Sequence, residues 1–112
     1  MRAGLSGVAA AAAFASLIAA SPVWAADDPK VIAYGQHLAG ECTSCHRIDG
    51  TDNGIPSIIG WDRSEFTATM AFYRDGQRKN PAMQSVAQSL DDEQIAALAA
   101  YFGGIEKPRR RR

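Results

Sequence analysis

The spacing of apolar positions between Lys30 and Gly40 predicts an amphipathic helix. Apolar or small residues recur there at the i, i+3, i+4 and i+7 positions of one helical face, namely Val31, Tyr34, Gly35 and Leu38. Gly35 stands on the apolar face itself, where glycine costs about 1 kcal/mol relative to alanine. A glycine at that position would let another helix approach closely, and Gly40 is a suitable end signal.

Two further helices are marked by polar residues at their starts. Asp62, with Glu65 three residues later, has capping-box spacing, and the inner face that follows holds Phe66, Met70 and Tyr73. Asp91 and Gln94 repeat this spacing. The apolar face of that last helix has the same spacing as the first, and it consists of Ile95, Leu98, Ala99 and Phe102.

The segments between these helices are predicted to be loops. Residues 42–60 contain three turn signals in quick succession, Asp49-Gly50, Asn53-Gly54 and Pro56. Residues 77–90 are predicted as a second loop, with Asn80-Pro81 near its start and room for a helical turn after Met83. No segment has strand periodicity, so the sequence predicts an all-α domain of about three main helices. Long loops in a small domain need something that organises them.

The first 25 residues have the layout of a secretory signal peptide. A basic Arg2 precedes an almost uncharged run over residues 8–20, and the small-residue pattern Val23-Trp24-Ala25 follows. The apolar run is shorter than the roughly 18 to 20 residues of a membrane span, so cleavage after Ala25 is favoured over an uncleaved anchor. We therefore expect an exported, periplasmic protein with one domain at residues 26–104 and a tail at residues 105–112.

The formal charge of zero hides an acidic body and a basic tail. Residues 26–108 hold all 12 Asp and Glu residues but only seven Lys and Arg residues, so their formal charge is −5. Four arginines close the chain: Arg109, Arg110, Arg111 and Arg112. Such a tail is either solvated or docks onto an acidic partner or an anionic membrane surface.

Cys42-Thr43-Ser44-Cys45-His46 is a C-x-x-C-H motif, the pattern of covalent haem attachment. Two thiols add across the two vinyl groups of one porphyrin, and the following histidine reaches the iron. A disulfide, a thioredoxin-type redox pair and half a zinc site are the alternatives. The redox pair needs a βαβ context and zinc needs more ligands, so the motif favours one haem c bound through Cys42 and Cys45.

The second iron ligand must come from elsewhere in the chain. His37 lies beside the apolar face of the first helix and is expected to be a surface residue. Met70 has core spacing, where methionine ordinarily fills gaps. Met83 follows Pro81 in the predicted loop, where extended backbone can aim a thioether inward, and it is the favoured ligand. The remaining alternative is a vacant or water-occupied position.

Pro56 is a candidate for orienting His46. A haem histidine needs an acceptor for its second ring nitrogen, and the Ile55-Pro56-Ser57 corner could present a backbone carbonyl. A simple turn proline is the equal alternative.

The chain resembles the class I cytochromes c, and in particular cytochrome c4-type domains and the cytochrome subunit of flavocytochrome c sulfide dehydrogenase. Besides the haem motif, the segments that carry the resemblance are residues 54–60, residues 72–78, Met83 and residues 90–102. The resemblance implies that Met83 is the distal ligand and that the carbonyl of Pro56 accepts from His46. It also implies that Gly35 meets the last helix near Tyr101.

Members of this family exchange electrons at the exposed haem edge, and in the sulfide dehydrogenases the partner is a flavoprotein. Many of these relatives carry two haems, whereas this chain has a single motif, and the arginine tail is not part of the family pattern. We therefore expect a monohaem electron-transfer protein rather than an enzyme, either a free carrier or the electron-accepting subunit of a sulfide-oxidising flavoenzyme. The alternative is a haem ligand sensor or peroxidase-like protein with an open distal site. The basic cluster lacks interleaved aromatics, so nothing suggests nucleic-acid binding.

Overall fold

The computed structural model of the protein describes residues 3–4, 6–16 and 27–109. These residues contain five helices and no strand: α1 Pro29–Leu38, α2 Gly40–Thr43, α3 Arg63–Arg74, α4 Pro81–Gln88 and α5 Asp92–Gly103. The all-α prediction is therefore confirmed. Val23-Trp24-Ala25, the predicted cleavage site, and the last three arginines lie outside the described residues. Among the helices described, none is long and apolar enough to cross a membrane.

The predicted helix starts at Asp62 and Asp91 are confirmed as side-chain caps. The Asp62 carboxylate accepts from the backbone N–H groups of Ser64 and Glu65. The hydroxyl of Ser64 donates to the same carboxylate, and this bond, followed by the backbone bond from Glu65, holds the pKa of Asp62 below its usual value. Asp91 and Gln94 form a reciprocal capping box, with N···O distances of 2.8 and 3.0 Å. These caps satisfy backbone donors that have no partner within the helix.

The prediction of a loop at residues 77–90 is wrong for most of that segment, because α4 occupies residues 81–88. Asn80 is its N-cap in extended conformation, and Pro81 stands at the first helical position, where a missing N–H costs nothing. Asn-Pro is typical of a turn, yet here the same pair begins a helix. Met83 consequently lies in the first turn of a helix and not on extended backbone.

The core is built around α5. Six of its residues are buried, and they include the four predicted for its apolar face; the set is Ile95, Ala97, Leu98, Ala99, Ala100 and Phe102. Phe102 stacks on Phe66 of α3 with ring centroids 6.0 Å apart. The backbone N–H of Gly60 donates to the carbonyl of Phe102 at 2.8 Å, so the loop after α2 is tied to the end of α5.

Helices α1 and α5 pack backbone to backbone at Gly35. A Cβ at Gly35 would lie 2.7 Å from the carbonyl carbon of Ala97 and 2.8 Å from Cβ of Tyr101, and it would overlap the Ala97 carbonyl oxygen. The approach to Tyr101 implied by the family resemblance is therefore present. Only glycine fits at this contact, which explains a residue that is unfavourable for the helix itself.

We expect Gly35→Ala to destabilise the protein. Overpacking costs about 1 to 3 kcal/mol, and here rigid backbone must move, so the loss exceeds the ~1 kcal/mol that alanine gains in a helix. Thermal unfolding followed by circular dichroism should show a lower midpoint for Gly35→Ala. Gly40→Ala is the control, because a Cβ there meets no atom within 4 Å. A Gly35→Ala protein as stable as the parent would contradict this packing.

Candidate functional site

A cavity of about 260 Å³ lies between α3, α4 and the segment from Glu41 to Trp61. Most of its wall is apolar, with side chains such as Ile58, Phe66 and Val86. The residues predicted for the site all line this one cavity, although they are spread over more than 40 positions of sequence: Cys42, Cys45, His46, Pro56 and Met83. The fold thus brings every predicted site residue together.

The two cysteines lie on a compact helical turn. Cys42 belongs to α2, and its carbonyl accepts from the N–H groups of Cys45 at 3.2 Å and His46 at 2.8 Å. The two thiols form no disulfide. Burial raises the pKa of the half-buried Cys42 thiol, and the neighbouring Glu41 carboxylate raises it further, whereas Cys45 is exposed. Both cysteines line the cavity, and no bond joins their sulfurs.

His46 is buried, with a relative exposure of 9%, and its ring is held by one contact. Nδ1 lies 2.6 Å from the carbonyl oxygen of Pro56, and because a carbonyl only accepts, Nδ1 carries the proton of this hydrogen bond. The neutral imidazole then has an unprotonated Nε2, whose lone pair is free to bind a metal. The contact implied by the family resemblance is present.

The corner that presents the Pro56 carbonyl is itself fixed. Gly54 has φ of +89°, a left-handed conformation that suits glycine, so the predicted Asn53-Gly54 turn occurs two residues before Pro56. On the other side, the indole Nε1–H of Trp61 donates to the carbonyl of Ser57 at 3.1 Å. The acceptor for His46 therefore sits on a braced loop.

Three side chains are candidates for the second ligand: His37, Met70 and Met83. His37 is exposed and does not line the cavity. Met70 lines the cavity but is packed into the core with only 5% exposure. Met83 lines the cavity, is half-buried, and has its backbone fixed because its N–H donates to Oδ1 of Asn80 at 3.1 Å. Met83 thus offers a thioether from a helix end that a cap holds in place.

These residues fit haem c as a group. The cavity has two thiols three residues apart, a histidine whose Nδ1 is already occupied, a thioether and apolar walls. Within the described residues no three His, Cys, Asp or Glu side chains converge as a metal cluster would require. The two thiols, the oriented histidine and the thioether therefore fit a covalently held haem.

Several polar or aromatic residues of the cavity were not predicted from the sequence, among them Trp61, Arg78 and Asn80. Trp61 and Arg78 had no sequence signal that distinguishes a lining residue from a surface one. Asn80 did have one, because Asn followed by Pro and apolar residues at positions 83, 86 and 87 is the pattern of a capped helix.

Comparison with known proteins also points to a protein that binds haem c. The family model described as "Cytochrome C oxidase, cbb3-type, subunit III" matches residues 32–102. Cytochrome c-554(548) of Halomonas halodenitrificans is 38% identical over 79 residues, which cover 66% of this chain and 95% of that protein. The cytochrome subunit of sulfide dehydrogenase of Chlorobaculum tepidum is 31% identical over 80 residues, which cover 70% of this chain and 73% of that protein.

The crystal structure of reduced recombinant cytochrome c4 from Pseudomonas stutzeri superposes with a TM-score of 0.63 at 28% sequence identity. The match covers 70% of this chain and 50% of the cytochrome c4 chain, so this chain spans half the length of that relative. Sequence, relatives and fold agree with the convergence of the motif residues on one cavity. The chain therefore belongs to the cytochrome c family, whose members hold haem c covalently and transfer electrons.

Proposed function

We propose that this chain binds one haem c through Cys42 and Cys45, with His46 and Met83 as the axial ligands of its iron, and that it carries single electrons. The observation that supports the proposal is that the three residues of the C-x-x-C-H turn and Met83 of α4, which is 37 positions further along the chain, line one mainly apolar cavity. The hydrogen bond between His46 and Pro56 supports the proposal further, because it leaves the lone pair of Nε2 free to bind the iron.

The chain's own residues each have a defined task. Each thiol adds its sulfur and its hydrogen across one vinyl double bond, so attachment needs no oxidant. When bound, haem c supplies a one-electron couple at iron, and a thioether ligand favours the ferrous form. His46 and Met83 would both bind the haem iron, and the iron would then have no position open for a substrate. The apolar residues exclude water. This arrangement suits electron transfer and not catalysis.

The setting of the protein is part of the same proposal. Residues 1–25 act as a cleaved signal peptide and the mature protein works in the periplasm, since haem c is attached outside the cytoplasm. Its electron donor is a sulfide-oxidising flavoenzyme, which is supported by the relative named as the cytochrome subunit of sulfide dehydrogenase. The arginines at positions 109–112 provide a basic end for an acidic partner or an anionic membrane surface.

The ligand assignment predicts that Met83→Ala abolishes the weak far-red absorption band that a methionine sulfur gives on ferric haem. The control is Met70→Leu, which conserves volume at the other methionine of the cavity and should keep the band. Absorption spectra of the oxidised proteins test this directly. If the parent lacks the band and binds cyanide or carbon monoxide quickly, the protein is not an electron carrier with Met83 as a ligand. It is then a haem protein with an open distal site.

The cap of α4 predicts a second effect on the same ligand. Asn80→Ala removes the hydrogen bond to the backbone of Met83 and costs about 1 kcal/mol, which corresponds to roughly fivefold easier displacement of Met83 by imidazole. Spectroscopic titration with imidazole measures this. Asn80→Ser retains a capping oxygen and should behave like the parent. Equal weakening in both variants would show that the cap does not support Met83.

The proposal that a flavoenzyme donates the electrons predicts that a flavin subunit accompanies the protein. Affinity-tagged chain purified from its native cells should carry protein-bound flavin in a fixed ratio to haem, whereas the tag alone should carry none. Flavin fluorescence and haem absorbance of the same fractions give the ratio. A homogeneous haem protein without flavin would show that the chain is a free carrier and not a subunit of a flavoenzyme.

A further inference from the structure

The chain after α5 folds back onto residues 47–60, the loop that follows the C-x-x-C-H turn. A Cβ at Gly60 would lie 2.9 Å from Cγ of Lys107, and a Cβ at Gly50 would lie 3.0 Å from Cδ of Pro108. The absence of side chains at the two glycines therefore makes room for Lys107 and Pro108. Two consecutive residues of the C-terminal segment lie on this loop.

The cavity opens on the same loop. Cys45 and Ile55 both line the cavity, and both are exposed. Gly50, against which Pro108 packs, lies four positions after His46 in the sequence. The C-terminal segment thus reaches the side of the protein where a bound haem would be nearest to solvent.

Lys107 begins a run of positive charge. Residues 107–112 hold five basic residues and no acidic one, and among the described residues neither Lys107 nor Arg109 forms an ion pair. Gly103 and Gly104, at the end of α5, line one groove with these two side chains. A helix C-terminus favours cations, but its partial charge is equivalent to only about −0.5. The helix end therefore offsets a small part of five positive charges.

An anionic membrane surface and an acidic protein are the two kinds of partner that match this charge. A membrane is a continuous anionic plane, and it would also meet the exposed carboxylates of Asp52 and Glu106 beside the basic residues. The rest of the protein would be repelled as well, because residues 26–108 hold all 12 Asp and Glu residues. An acidic patch on a protein is local and can contact the basic residues alone, so the charges favour a protein.

The contacts of Lys107 and Pro108 with the loop favour the same partner. A membrane anchor needs no fixed position relative to the haem, whereas a protein that exchanges electrons has to approach one side of it. We propose that residues 107–112, the basic segment, form a docking site for an acidic electron-transfer protein, and that Pro108 holds this site beside the cavity. The inference rests on the proposed function and names the chemistry of its partner.

A basic docking site of this kind acts mainly on the rate of association. Opposite charges steer two proteins toward each other, and the loss of a charge at the rim of an interface lowers the association rate and its dependence on salt. Charges act over about 8 Å at physiological ionic strength. The position of the basic segment should therefore matter in addition to its charge.

The test is the rate at which the hydroquinone of flavodoxin, an acidic flavoprotein, transfers one electron to the ferric haem in a stopped-flow experiment. The haem-loaded parent is compared with three variants of the full chain. The first combines Arg109→Gln, Arg110→Gln, Arg111→Gln and Arg112→Gln. The second has Lys at the same four positions and keeps the charge. The third, Pro108→Gly, keeps every charge but loses the ring that packs on Gly50.

We expect the second-order rate constant at low salt to fall about tenfold in the Gln variant and to stay near the parent value in the Lys variant. The rate constant of Pro108→Gly should lie between these two values. At high salt the differences should disappear, because salt screens the steering. Hexaammineruthenium(II), a small cationic reductant, is the control, and it should reduce the Gln variant at least as fast as the parent.

Four results would overturn the inference. Equal flavodoxin rates in the parent and the Gln variant would show that the basic segment does not guide an acidic protein, and a parent rate in Pro108→Gly would show that its position is not held by Pro108. A fall with both reductants would assign the arginines to the haem site itself. Arginine-dependent sedimentation with phosphatidylglycerol vesicles, together with an unchanged flavodoxin rate, would identify a membrane anchor instead.

Each of these results leaves a haem that accepts one electron, so the proposed function stands. A protein that carries no haem after denaturation, or a ferric haem that neither reductant reduces, would instead refute the proposed function and the inference with it.

Discussion

The hydrogen bond between His46 Nδ1 and the Pro56 carbonyl oxygen is the interaction on which the rest of the site depends. It fixes the tautomer of the buried imidazole and its direction, and it joins the C-x-x-C-H turn to the loop that forms the next wall of the cavity. The loop is braced on both sides of Pro56, by a left-handed glycine at position 54 and by the indole of Trp61. The Pro56 carbonyl on this loop holds the His46 ring without the help of a further titratable group.

The α1–α5 contact supports this arrangement from the core. Gly35 lets the backbones of α1 and α5 approach closely, and α2 with the cysteines follows directly after α1 at the side of the cavity. The end of α5 holds the loop after α2, because the N–H of Gly60 donates to the carbonyl of Phe102. Met83, the proposed second ligand, has separate support, because the Asn80 side chain that caps α4 accepts from the backbone N–H of Met83. The C-x-x-C-H turn is anchored by the His46–Pro56 hydrogen bond, and α4 is anchored by its Asn80 cap. Both border an apolar space that a porphyrin would fill.

Much of this was readable from the sequence, because the informative residues act locally. The caps at Asp62 and Asp91, the apolar face of α5 and the C-x-x-C-H turn depend on neighbours within four residues. Helix α4 was missed because Asn-Pro occurs both in turns and at helix starts, although the apolar residues at positions 83, 86 and 87 have helical spacing. Trp61 and Arg78 were missed for another reason: their place at the cavity is set by tertiary packing that leaves no local pattern.

The central claim is that the iron of a covalently attached haem has His46 and Met83 as its axial ligands. X-ray absorption at the iron edge of the purified, haem-loaded protein measures the atoms around the metal without relying on a variant. The account predicts one sulfur and five nitrogen neighbours in both the oxidised and the reduced protein. A shell of nitrogen and oxygen alone, or a five-coordinate iron, would contradict it.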